Sequence, residues 1–261
     1  MKILVSDLDG TLIEDTRLLS QKNLEMMYKL KERGNLVVIC TGRSLKEFEV
    51  IQNEIHFPCD YIILNNGALI VDKDYNVIFE KVIRKEVGLA ILEKIKNYPK
   101  LCSMFSDGDH TYGFVDGKTV DYGLGGIEIQ DCFYDLYKEV KQFSIIAFHQ
   151  SSKQIGYTKQ CYDEILKDYS HEVEAFMNTH FVDVVPKDCS KGNGVKTLLE
   201  YLNIQGEVWA IGDSHNDLSM LKVADYGYTF DYADIKDQIS HQVHFAYEMI
   251  ETMLDNKAND Y

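Results

Sequence analysis

Short apolar runs alternate with longer segments whose apolar residues recur at helical spacing, the pattern expected of a parallel sheet flanked by helices. Residues 3–5 predict a short buried strand. The segment 20–33 predicts a helix: Ser20 stands at the N-cap position, Leu24, Met27 and Leu30 share one face, and Gly34 can close the last turn in the left-handed conformation. A second strand is predicted at 36–40, then a helix from Ser44 and a third strand at 61–64. A hairpin follows, pairing 69–71 with 77–79 across Asp74 and Tyr75.

Near residue 85 the chain becomes rich in Tyr, Phe and Gly. Strands are predicted there at 102–105, 111–115 and 143–148, with helices at 86–98, 133–140 and 159–169. After Pro186 the first pattern resumes, with a helix at 190–202, a strand at 207–211, a helix from His215 and an amphipathic helix at 243–254. The expected fold is therefore α/β: a Rossmann-like parallel-sheet core formed by 1–84 and 186–261, interrupted by an inserted α+β domain at 85–185. No internal repeat or low-complexity segment interrupts this reading.

Composition narrows the setting. A chain of 261 residues with 45% hydrophobic content can bury a core without covalent staples. The six cysteines are scattered, with no CxxC pair and no Cys/His cluster, and read as reduced thiols of a cytoplasmic protein. The first apolar run reaches an acid far short of the ~7 to 15 apolar residues of a signal peptide or the ~20 of a membrane helix, so no export signal or span is expected. A net charge of -15 repels DNA, RNA and anionic lipid and argues against nucleic-acid and membrane partners. The same charge repels a phosphorylated metabolite, so a site for one must carry its own metal, lysine or backbone amides. The oligomeric state stays open.

Four motifs answer that requirement. In Asp7-Leu8-Asp9-Gly10-Thr11, Leu8 separates two carboxylates that emerge together at the end of the first strand, where open α/β sheets bind ligands. Paired carboxylates call for a cation, and Mg²⁺ prefers hard oxygen donors. An acidic turn given freedom by Gly10 would look the same in isolation. In Gly212-Asp213-Ser214-His215-Asn216-Asp217, Asp213 again ends an apolar strand and can complete a metal site, while Asn216 and Asp217 fall in the next helical turn, where Asp217 could equally be a cap. Thr41-Gly42-Arg43 follows the second strand and offers a hydroxyl and an unobstructed backbone amide to a phosphate oxygen. Lys191 stands at a helix start, where the macrodipole disfavours a cation and a partner is called for. Asp7, Asp9, Asp213 and Asp217 total four negative charges, against three positive from Mg²⁺ and Lys191, a balance suited to stabilising a phosphoryl group in transit.

This set of motifs resembles the haloacid dehalogenase superfamily of phosphotransferases. The long insert between Thr41-Gly42-Arg43 and Lys191 is similar to that of the Cof-type branch (subfamily IIB), which carries a large C2-type α/β cap. Asn66-Gly67-Ala68, Ser190-Lys191-Gly192 and the string GDSHNDLSML from Gly212 to Leu221 add to the likeness. The resemblance implies Asp7 as nucleophile through a phospho-aspartyl intermediate, and Asp9 as general acid and then base. It further implies Mg²⁺ held by Asp7, the Asp9 carbonyl and Asp213. Thr41, Gly42, Lys191 and Asn216 would bind phosphate, with Arg43 in support and Asp217 orienting Lys191. The chain departs from the branch at Phe230-Asp231-Tyr232-Ala233-Asp234-Ile235, where relatives often carry an Asn-Asp-Glu-Asp-Gly-Val-like loop.

The implied activity is Mg²⁺-dependent hydrolysis of small phosphorylated metabolites, sugar phosphates foremost. A phosphomutase, distinguished by its need for a bisphosphate activator, is one alternative. A non-catalytic metabolite-binding regulator is another, disfavoured because Asp7, Asp9 and Lys191 are all present. Specificity is expected in the insert, where Asp107, Asp109, His110, Tyr112 and Tyr122 are candidates, each of them equally readable as a surface-loop residue.

Overall fold

The computed structural model describes residues 1–13, 20–114, 125–130, 132–150, 155–178 and 181–255. The chain forms two compact units, one of Met1–Thr41, Ile55–Phe79 and Ser190–Tyr261, the other of Gly42–Glu54 and Glu80–Cys189. The expected junctions at 84/85 and 185/186 thus compare with observed ones at 79/80 and 189/190. The stretch 42–54 packs with the second unit, a grouping that its place in the sequence does not suggest.

The first unit is built on a sheet of order β14-β13-β12-β1-β2-β3-β4-β5. Its strands are β1 (Lys2–Ser6), β2 (Leu36–Cys40), β3 (Tyr61–Leu64), β4 (Leu69–Asp72), β5 (Val77–Glu80), β12 (Glu207–Ile211), β13 (Tyr226–Phe230) and β14 (His241–Val243). The strands from β14 to β3 pair in parallel, and β4 runs antiparallel to β3. Strand β1 is buried along its whole length, which is why it carries a continuous apolar run rather than an alternation. It lies between β12 and β2, with Lys2 opposite Glu207 and Ile3 opposite Leu36. Chain order reverses at β1, and such a reversal opens a crevice at the carboxyl ends of the strands. Helices α1 (Gln21–Glu32), α6 (Lys191–Leu202), α7 (Leu218–Val223) and α8 (Ala246–Asp255) complete the unit.

Local chemistry explains most boundaries. Helix α1 ends at Gly34 with φ +74°, but Ser20 caps its start by position only and makes no side-chain cap bond. At α6, Ser190 Oγ does accept from Asn193 N, at 3.1 Å. The helix expected from His215 is split into a 3-10 turn over His215–Asp217 and then α7. Strands β13 and β14 lie between α7 and α8, where the sequence predicts no element.

The second unit holds a sheet of order β10-β11-β9-β6-β7-β8. These strands are β6 (Leu101–Ser106), β7 (Thr111–Phe114), β8 (Glu128–Ile129), β9 (Ile145–Gln150), β10 (Val173–Asn178) and β11 (Phe181–Pro186), accompanied by α2 (Leu45–Ile55), α3 (Lys85–Lys96), α4 (Phe133–Glu139) and α5 (Gly156–Tyr169). Its core joins Ile91, Phe105, Phe133, Phe143 and Phe148, with the Phe105 and Phe143 rings edge to face at 5.3 Å. Gly88 makes room for Phe143, whose ring would lie 2.0 Å from a Cβ placed there. Strands β10 and β11 were not expected; they are an antiparallel pair from Val173 opposite Pro186 to Asn178 opposite Phe181. Residue 115, the end of the predicted 111–115 strand, lies outside the described residues. Among those described, no helix is long and apolar enough to cross a membrane.

Candidate active site

The four parallel strands β12, β1, β2 and β3 deliver Asp213, Asp7, Thr41 and Asn65 to the same edge of the first unit's sheet, each just past its strand. The backbone locks this edge: Asp7 N donates to Ile211 O at 3.0 Å and Thr41 N to Ile63 O at 2.8 Å. Asp7 is 4% exposed and Lys191 is 1% exposed. Helix α6 enters over the same edge and sends Lys191 Nζ to within 2.6 Å of Asp7 Oδ1 and 2.5 Å of Asp217 Oδ1. The lysine disfavoured at a helix start thus has two buried carboxylates as partners. Burial opposes its charge, but Asp217 and Asp7 hold its pKa above the ordinary lysine range.

Asp217 is fully committed. Besides Lys191, it accepts from Asp213 N at 3.1 Å, Ser214 N at 2.9 Å and Ser214 Oγ at 3.1 Å through Oδ2. Gly212 permits this closeness, since a Cβ there would stand 2.5 Å from Asp217 Cγ. Gly10 does the same for Asp213, with φ +80° and only 2.6 Å from a would-be Cβ to Asp213 Oδ2.

Asp7 and Asp213 are held less comfortably. Burial, followed by repulsion from Asp217, raises the Asp7 pKa well above the usual carboxylate range, against the pull of Lys191. The same two causes push Asp213 up to about 6. Thr11 Oγ1 sits between them, 3.2 Å from Asp213 Oδ1 and 3.5 Å from Asp7 Oδ2. Oxygens of Asp7, Asp213 and Asp217 lie within 4.8 Å of one another. Hard carboxylate donors gathered this closely, with charge that one lysine does not fully offset, fit a divalent cation such as Mg²⁺. Because Asp217 has its oxygens engaged by Lys191 and Ser214, Asp7 and Asp213 are the better candidates for direct ligands.

The remaining predicted residues divide. Asn216 is buried beside Asp217, its Nδ2 donating to Asn66 Oδ1 at 3.2 Å and its Oδ1 accepting from Ser214 Oγ at 2.7 Å. Thr41 is buried, and its carbonyl accepts from Asn66 N at 3.1 Å. Leu8 is buried in the core beneath the site. The Asp9 side chain is exposed and is not among the three clustered carboxylates; the adjacent Gly10 N closes a turn on Ile13 O at 2.8 Å. Gly42 and Arg43 open the stretch that belongs to the second unit, where Arg43 Nη1 is 3.7 Å from Glu47 Oε1. Of the specificity candidates, Asp107 builds the β6–β7 turn by accepting from Asp109 N and His110 N, and His110 stacks on Tyr112. Tyr122 lies outside the described residues. The contact from Asn66 to Asn216 is not foreseen from the sequence, although Asn66-Gly67-Ala68 stands out there as a motif.

Comparison with known proteins agrees with this architecture. The family model for haloacid dehalogenase-like hydrolases matches residues 4–243. The 5-amino-6-(5-phospho-D-ribitylamino)uracil phosphatase YwtE of Bacillus subtilis is 28% identical, with 86% of this chain and 85% of that protein covered. Among solved structures, a haloacid dehalogenase-like hydrolase from B. subtilis superposes with a TM-score of 0.82 at 23% identity, covering 96% of this chain and 99% of the other. A sugar phosphatase of haloacid dehalogenase subclass IIB superposes with a TM-score of 0.79 at 21% identity, covering 97% and 98%. With a family model spanning most of its length and an acid-lysine cluster at the carboxyl edge of its parallel sheet, this chain belongs to the haloacid dehalogenase-like hydrolases.

Proposed function

We propose that this protein is a Mg²⁺-dependent phosphatase of small phosphorylated metabolites, sugar phosphates first among them, working through a phospho-aspartyl intermediate. The observation that carries this reading is the buried Asp7–Lys191–Asp217 arrangement with Asp213 beside it. Lys191 holds Asp7 by Oδ1 and thereby orients the carboxylate, while Oδ2 attacks phosphorus. As that bond forms, the ester bond breaks and the Asp9 carboxyl gives its proton to the leaving oxygen. Asp9 then takes a proton from water as the water oxygen attacks phosphorus, and the bond to Asp7 breaks to release phosphate. The exposure of Asp9 suits a group that must reach both a leaving alcohol and a water. Asp7 and Asp213 would hold Mg²⁺, which when bound offsets the negative charge of the phosphoryl group and of the carboxylates around it. Thr41, Lys191 and Asn216 bind phosphoryl oxygens.

Phosphate release from a panel of sugar phosphates, nucleotides and pyridoxal phosphate, with Mg²⁺ and then with excess chelator, tests this reading. Release that disappears with chelator and returns with Mg²⁺ is expected. A folded protein that releases no phosphate from any member in the presence of Mg²⁺ would overturn it.

A further inference from the structure

The turn Asn65–Gly67 has a backbone that its sequence makes costly. Asn65 and Asn66 both have φ +50° and Gly67 has φ +95°, a run of left-handed residues at the end of β3. Non-glycine residues in this region cost energy and persist where the surroundings hold them. Here the surroundings are three separate loops of the first unit. Asn66 N donates to Thr41 O, past β2. Gly67 lies under the start of α6, where a Cβ would come within 2.2 Å of Ser190 O, next to Lys191. Asn66 Oδ1 accepts from Asn216 Nδ2, past β12. The segments that carry Thr41, Lys191 and Asn216 thus meet at one turn, and Asn66 itself is fully buried.

Asn216 is where this matters chemically. A carboxamide can present either its oxygen or its nitrogen to a ligand, and the wrong face repels a phosphate. Ser214 Oγ lies 2.7 Å from Asn216 Oδ1, its one hydroxyl hydrogen shared with Asp217 Oδ2, and Asn66 Oδ1 takes one hydrogen of Asn216 Nδ2, which leaves the other hydrogen of that amide for a phosphoryl oxygen. We infer that Asn66 is a positioning residue for phosphate binding, acting through Asn216 by fixing the donor face of its amide. The inference rests on the phosphate site proposed above and adds a residue to it.

A contact of this kind serves ground state and transition state alike, so its loss raises KM and leaves kcat nearly unchanged. The test is a double-mutant cycle with Asn66→Gly and Asn216→Ala, with p-nitrophenyl phosphate as substrate and inorganic phosphate as competitive inhibitor. Glycine tolerates the left-handed backbone and keeps the N–H that bonds Thr41 O, so the change is confined to the side-chain carboxamide. Weakening of inorganic phosphate binding by about tenfold is expected for Asn66→Gly, the scale of one hydrogen bond to a charged group. In the Asn216→Ala background the further loss should vanish. Asn66→Ser, whose hydroxyl falls short of Asn216, repeats the measurement should the glycine variant melt early. Additive losses, an unchanged inhibition constant, or a fall in kcat alone would overturn the inference. Direct calorimetric titration of inorganic phosphate separates this result from the proposed reaction: a wild type that binds phosphate without hydrolysing any ester defeats the phosphatase reading and still allows the cycle to be scored.

Discussion

Lys191 and Asp7 are 184 positions apart in the chain, yet Lys191 Nζ donates to Asp7 Oδ1 across 2.6 Å, with both side chains buried. A buried ammonium between two carboxylates adds little net stability against an apolar alternative, but breaking such a group is costly because the remaining charges have lost their partner. This asymmetry governs what substitutions at the site should do.

Replacing Lys191 with methionine keeps the apolar stem and removes the charge. Asp7 and Asp217 then face each other across a buried gap with no cation between them. A loss of about 3–5 kcal/mol in unfolding free energy is expected, together with loss of phosphate release. Urea unfolding of the metal-free variant at neutral pH measures the first; a midpoint equal to that of wild type contradicts the assignment of Lys191 as the balancing charge.

Asp7→Asn should behave in the opposite way. The charged form of Asp7 is disfavoured in the fold by burial and by its acidic neighbours, and a neutral amide of the same shape relieves that repulsion. The variant is expected to fold with a melting temperature, without metal, no lower than that of wild type, and to show no turnover because an amide is not a competent nucleophile. Full activity in a clean preparation contradicts the role of Asp7.

Much of this was legible before the fold was known, and the limits have physical causes. Strands β2, β3 and β12 are continuous apolar runs whose ends are marked by polar residues, so their boundaries follow directly. Strand β14 has three residues, two of them exposed, and β13 carries Gly227 and Thr229 among its tyrosines, so neither shows a strong apolar period. Strand β10 is only partly buried beyond Val173, which blurs its alternation. At the site, the acids and Lys191 stand out because charges at strand ends and helix starts need partners. The contact between Asn66 and Asn216 depends on strand order and turn geometry, which no local pattern encodes.

Asp213 makes the metal-free protein sensitive to pH. Its folded pKa of about 6 lies above the ordinary aspartate value of 3.8, so between these limits the folded chain keeps a proton that the unfolded chain releases. Its contribution to stability therefore falls as pH rises through that window and stays low above it. A divalent cation competes with that proton. Stabilisation by Mg²⁺, read as the shift in melting temperature between chelator and saturating metal, should be small at pH 5 and grow to a plateau above about pH 7. A shift independent of pH contradicts Asp213 as a ligand.

Thiol accessibility provides a test away from the site. Cys132 is exposed and the other five cysteines are buried. Burial also pushes the Cys59 and Cys161 thiols up to about 12 and Cys189 to about 11. With a disulfide reagent at pH 8, one thiol per chain should react quickly in the native protein and all six in denaturant. Cys132→Ser should remove the fast phase.

The position of β1 has a consequence for the history of each molecule. One of its neighbours, β2, is made soon after it, but the other, β12, arrives only with residues 207–211. Until then β1 presents an unpaired apolar edge, the kind of surface that promotes association between incomplete chains. Asp213 and Asp217 also come after that point in synthesis, so a nascent chain carries Asp7 through most of its translation in an incomplete site. Truncation before β12 should therefore abolish activity and also yield chains that aggregate, and chaperone engagement should be greatest while that edge is open.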